Sequence, residues 1–127
     1  MTRELSKVIS DDIVHKFAEV SDDHNPIHLD QAAGEASIFK KRIAHGMLSA
    51  SLFSALIGER LPGHGSIYLS QTLQFTAPVP VGATVLATIE VTKVDLEKAH
   101  VTLDCKAKVG ETVVITGEAK VLAPRKG

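Results

Sequence analysis

AHGMLSASLFSALIGERL, residues 44–61, is the stretch whose reading decides the fold. Its charged residues, Glu59 and Arg60, sit only at the far end. Met47, Leu48, Ala50, Leu52, Phe53, Ala55, Leu56 and Ile57 go nearly all the way round a helix, the pattern of a helix buried on most sides. It is too short, and too well terminated by Pro62-Gly63, to span a bilayer. The expectation is a long central helix inside the core.

Downstream of Gly65 the period changes from helical to alternating. Ser66 to Thr76, Thr84 to Val94, His100 to Val109 and Thr112 to Leu122 are rich in Val, Ile and Thr. Pro78-Val79-Pro80-Val81-Gly82, Leu96-Glu97-Lys98 and Gly110-Glu111 split them, so four strands with short antiparallel connections are expected. Leu5 to Ile9 adds a fifth. In the third run Val101, Leu103, Cys105, Ala107 and Val109 share one face and Thr102, Asp104, Lys106 and Lys108 the other, which makes Cys105 a core residue rather than a nucleophile. An α+β fold follows, with about five antiparallel strands curled around the helix. A sheet on so small a chain has open edges, and pairing two copies is the economical way to cover them.

Upstream, Ser10 caps a helix with Asp11 and Asp12 in its first turn and Ile13, Phe17 and Val20 as its apolar stripe. Ser21 to Pro26 forces a polar loop, and a helical turn is expected from about Asp30 to Ala36, before Lys40, Lys41 and Arg42. The 127 residues fit one domain, 1–127, and 44% hydrophobic residues supply its core. A net charge of -1 leaves no general excess for nucleic acid or membrane surfaces. One cysteine makes no internal disulfide or cysteine zinc site, and MTRELSK lacks a secretory apolar run, so a soluble cytoplasmic protein is expected.

Chemistry concentrates in Ser21-Asp22-Asp23-His24-Asn25-Pro26-Ile27-His28. Asp23 and His28, five residues apart across a proline turn, can bring a carboxylate and an imidazole to one side of a loop, the pair needed to move two protons. Spacing alone favours the plainer reading, a turn with capping Asp and Asn and a surface His. His24 and His28 are four apart, but Pro26 between them denies the helix that a zinc pair needs. Gly46, opening the long helix, either donates its N–H to an oxyanion or simply allows tight packing. Ser54 either lines a pocket or bonds back to Ala50, and Lys40, Lys41 and Arg42 either hold a nucleotide's phosphates or are solvated.

Phe17 to His28, FAEVSDDHNPIH, resembles the hydratase signature of the MaoC-like family, and the resemblance continues through Ile43 to Val85 and covers about Ser10 to Leu122. It is closest in kind to short (R)-specific enoyl-CoA hydratases that feed polyhydroxyalkanoate synthesis. It implies a hot-dog fold, a homodimer, and reversible hydration of a trans-2-enoyl-CoA without metal or cofactor. By matching positions Asp23 and His28 are the catalytic pair, with Asn25, Gly46 and Ser54 as substrate-binding residues. Among these, Asn25 supports the loop, Gly46 donates to the thioester oxygen and Ser54 lies at the pocket. The family often has Gly where this chain has Asp22, which puts a second carboxylate beside the pair. A hot-dog thioesterase or a non-catalytic acyl-binding module are the alternatives; the former would place a carboxylate on or near the central helix, which has none before Glu59.

Overall fold

Alternation of β-branched and polar residues builds one antiparallel sheet of five strands: β1 (Thr2–Val8), β2 (Ile67–Phe75), β3 (Thr84–Asp95), β4 (His100–Val109) and β5 (Thr112–Leu122). Their order is β1-β3-β4-β5-β2. The structure is a computed structural model and describes residues 1–124, so the last three residues of the expected domain lie outside the described residues. Among the described residues four helices complete it: α1 (Asp11–Ser21), α2 (Pro26–Leu29), α3 (Gln31–Ala36) and α4 (Gly46–Glu59).

The inward residues of β3, β4 and β5 meet α4. Val85, Ala87 and Ile89, then Val101, Leu103, Cys105 and Ala107, then Ala119 and Val121 pack with Leu48, Leu52, Phe53, Leu56 and Ile57. Burying each large side chain contributes about 1.5–3 kcal/mol, so this layer holds the sheet on the helix. A bulge in β5 opposite Ala107 and Lys108 lets the consecutive residues Val114 and Ile115 both reach the core.

Three expectations are corrected. Only β3-β4-β5 are joined as neighbouring hairpins. Pro78 to Gly82 instead carries the chain from edge strand β2 across to β3, because residues 78–81 pair with the segment entering α4: Ala44 N–H donates to Val79 O at 2.7 Å and Ile43 bridges Pro80. Second, the sheet covers one side of α4 only, leaving Met47, Ser51, Ser54 and Ala55 exposed along the other. Third, the buried residues of α1 are Val14 and Ala18, with Ile13 and Phe17 half-buried and Val20 84% exposed, so the inward face is rotated from the expected stripe.

Candidate active site

Ser10 starts α1 by accepting from Ile13 N–H at 3.3 Å, and Asp22 ends it in the left-handed region at φ 64°. That conformation is why glycine suits the position; Asp tolerates it better than most residues. The chain then turns sharply. Asn25 N–H donates to Asp23 Oδ1 at 3.1 Å, and Asn25 Oδ1 accepts from Ile27 N–H at 3.2 Å, capping α2 at Pro26. His28 therefore stands on a helical turn, not on the expected loop, and is buried.

Two bonds anchor His28. Its Nδ1 lies 2.7 Å from Ile43 O, and Arg42 Nε donates to its backbone oxygen at 2.9 Å. A carbonyl only accepts, so Nδ1 carries the proton and Nε2 of the neutral ring keeps a lone pair for chemistry. Arg42 also binds Asp11, and that hydrogen bond holds the Asp11 carboxyl below its usual range. This corrects one option for the basic group: Arg42 is engaged inside the site's scaffold, while Lys40 and Lys41 stay exposed.

Asp23, His28 and His45 gather so that one ligating atom from each lies within 4.8 Å of the others. The rings of His28 and His45 stack at 3.9 Å with 31° between planes. Stacked rings aim their in-plane lone pairs side by side rather than at one point, so this set suits proton transfer better than coordination of an ion. The zinc pairing weighed from sequence, His24 with His28, does not form: His24 is exposed and its Nδ1 bonds to Asp22 O. Asp22 is not in the cluster.

A cavity of about 450 Å³ opens beside His28, walled by Gly46 and Ser49 of α4, by Phe39, Ile43 and Phe75, and by the 76–79 crossover. His45 is the N-cap of α4 but makes no side-chain cap bond, so the helix's positive end faces the cavity uncapped. A Cβ on Gly46 would sit 2.7 Å from the Phe75 ring, so the close-packing reading of this glycine holds.

A sequence profile described as MaoC like domain matches residues 1–115. The chain belongs to the MaoC-like family. It is 48% identical over 123 residues to an (R)-specific enoyl-CoA hydratase of Rhodospirillum rubrum, covering 97% of this chain and 85% of that one. It is 45% identical to a 3-hydroxybutyryl-CoA dehydratase of Methylorubrum extorquens, covering 99% and 80%. The structure of the (R)-hydratase from A. caviae involved in PHA biosynthesis superposes with a TM-score of 0.95 at 46% identity, covering 98% of this chain and 95% of that one. The MaoC-like hot-dog architecture, a sheet wrapped on one helix, is thus the fold of this chain.

Of the residues singled out in this MaoC-like chain, Asp23, His28 and Gly46 come to one place, and Asn25 serves the loop as a cap. Ser54 does not join them; it is exposed on the far face of α4, and Ser51 rather than Ser54 bonds back along the helix, to Leu48 O. Ser49, one turn after Gly46, is the serine at the cavity, fully buried with its Oγ unpartnered. Sequence reasoning missed Ser49 and His45. The available signal was the histidine at a helix N-cap, where Ser, Thr, Asp or Asn is the usual choice.

Proposed function

We propose that this protein adds water across trans-2-enoyl-CoA to give (R)-3-hydroxyacyl-CoA, and runs the reverse dehydration, with Asp23 and His28 as the acid-base pair. The observation that carries the reading is the convergence of a carboxylate on a singly anchored imidazole that itself lines an apolar cavity beside the start of α4. Relatives at 45–48% identity named for this hydration and its reverse support it. Residues 1–127 act as one hot-dog domain.

Water held between the Asp23 carboxylate and His28 Nε2 gives a proton to one of them as its oxygen bonds the β-carbon. That proton, kept by the group that took it or handed to its partner, then goes to the α-carbon, so water's two halves end on adjacent carbons and both groups return to their starting states. Negative charge collects meanwhile on the thioester oxygen. Gly46 N–H, at the positive end of α4, is placed to bind it, and losing such a donor costs about 2.7–4 kcal/mol of barrier. The apolar walls of the cavity suit an acyl chain.

A homodimer completes the reading. Met47 is 56% exposed on the open face of α4, and Ile67, Tyr68 and Leu69 are exposed on edge strand β2. A second copy covers both. No helix among the described residues is long and apolar enough to cross a membrane, and the reading places the enzyme in the cytoplasm with its CoA substrates.

Loss of the enoyl-thioester absorbance on incubation with crotonyl-CoA tests the activity. Oxidation of the product by an (R)-specific but not an (S)-specific 3-hydroxyacyl-CoA dehydrogenase tests the face of addition. Release of free thiol without hydration would favour the thioesterase alternative. Sedimentation equilibrium giving an active monomer at micromolar concentration would refute the dimer.

A further inference from the structure

Among the described residues, two buried side-chain polar atoms have no hydrogen-bond partner, His45 Nδ1 and Ser49 Oγ. Burying an imidazole with one nitrogen unpaired is costly, and His45 is only 2% exposed. It also forgoes the capping bond that an N-cap side chain ordinarily makes. Two local sources of stability are given up at one residue, so its remaining contacts must explain it.

Those contacts join three elements. His45 Nε2 lies 2.9 Å from the backbone oxygen of Asp23, 22 residues away, and since that oxygen only accepts, Nε2–H donates. One face of the ring stacks on His28 at 3.9 Å. Phe17 of α1 packs against the ring at 5.0 Å and 57°. The hydrogen bond from His28 Nδ1 to Ile43 O fixes one point of the His28 ring but leaves the ring free to rock about that point. The His45 face removes that freedom.

We propose that His45 is a positioning residue for hydration: its Nε2–H holds the Asp23 main chain while its ring sets the plane of His28. The pair thereby keeps the spacing in which one water touches both. The proposal rests on the hydratase reading above for its kinetic consequence, but its structural content stands apart. Reach is the discriminating property. A glutamine at 45 puts its amide nitrogen near the place of Nε2 and restores the bond to Asp23 O; an asparagine puts it near the place of Nδ1 and does not.

The test compares the full-length wild type with His45→Phe, His45→Gln and His45→Asn in crotonyl-CoA hydration, with thermal unfolding beside it. His45→Phe keeps a ring but lacks the donor, and its kcat is expected to fall about 100-fold with KM within about threefold, as misplacement of a catalytic pair predicts. His45→Gln is expected to exceed His45→Asn in kcat at least about tenfold. A His45→Phe kcat within about threefold of wild type, or equal kcat for Gln and Asn, overturns the proposal. If His45→Phe does not fold, the Gln and Asn pair decides alone. A second readout needs no turnover: the protected His28 Nδ1–H resonance in histidine-labelled protein should persist in His45→Phe, which keeps the ring, and broaden in His45→Asn, which lacks it, and identical spectra would overturn the proposal. A wild type inactive on crotonyl-CoA and on longer enoyl-CoAs would refute the hydratase reading, with the spectra still deciding the role of His45.

Discussion

Replacing His28 by asparagine should separate its chemistry from its structural work. Asparagine places an amide nitrogen where Nδ1 stands, so the bond to Ile43 O, 2.7 Å in the native chain, is kept while Nε2 is deleted. Loss of one half of an acid-base pair costs about 10²–10⁴ in rate, or roughly 3–5 kcal/mol of barrier. The stability cost should be small, about 1 kcal/mol, for the lost stacking on His45. His28→Ala should lose the same activity but about 2–3 kcal/mol more stability than a side chain that still pairs, because Ile43 O is then left without its donor and a void opens at a buried position. Taken as a loop residue outside the core, His28 would tolerate truncation; its burial says otherwise.

Hydration of crotonyl-CoA followed by absorbance gives the rates, and urea unfolding gives the stabilities. Adding Asp23→Asn to His28→Asn should make turnover scarcely worse than either change alone, since the two groups move protons of one water. A His28→Asn enzyme within tenfold of wild-type turnover would remove His28 from the mechanism. Equal stability of the Asn and Ala variants would show that the bond to Ile43 does no structural work.

Three further outcomes are expected. Asp22→Gly should raise stability by about 1 kcal/mol, because φ 64° costs a residue with a Cβ more than glycine; an unchanged or lower unfolding temperature counts against it. Ser49→Ala should leave stability unchanged or up to about 1 kcal/mol higher, since the buried Oγ has no partner to lose, and a loss above about 1 kcal/mol in urea unfolding would contradict this. Burial pushes the Cys105 thiol up from 9.0 to about 11, so stability from keeping it neutral is full below pH 9 and declines as pH rises from 9 towards 11. Urea midpoints of wild type and Cys105→Ala should diverge less above pH 9 than below it, and parallel curves would refute the assignment.

The fold was largely legible because its signals are local. Alternation in residues 100–109 places Val101, Leu103, Cys105 and Ala107 inward, and the structure buries all four. Strand order was not legible, since the proline-rich Pro78 to Gly82 looks like a turn whether its flanking strands are neighbours or stand apart. Only contacts made elsewhere in the chain, from Ile43 and Ala44, settle that it is a crossover. Composition likewise could not tell which side of α4 the sheet covers: Met47 and Ala55 are as apolar or small as Leu48 and Leu52, yet face outward on a single chain.

The site divides the same way. Asp23, Asn25 and His28 sit within six residues, so one turn and one cap bring them into register, and spacing alone permits an acid-base pair beside the plain capping turn. His45 reaches the same place from 22 residues beyond Asp23, and no periodicity connects the two. What connects them is the path of the chain: α2 and α3 lead through Arg42, whose guanidinium ties His28 O to Asp11, and Ile43 O then meets His28 Nδ1 just before α4 begins. Three features thus follow in chain order, a backbone oxygen at Ile43 that sets the tautomer of His28, a ring at His45 that packs on it, and the start of α4 at Gly46, whose N–H the proposed hydration would use. A capping Ser or Asp at position 45 would turn its side chain onto the first turn of α4, where Leu48 N–H already donates to His45 O at 3.1 Å, whereas the histidine turns towards Asp23. The missing cap and the buried unpaired nitrogen are therefore two consequences of one arrangement, in which the His45 side chain is committed to Asp23 and His28 rather than to its own helix.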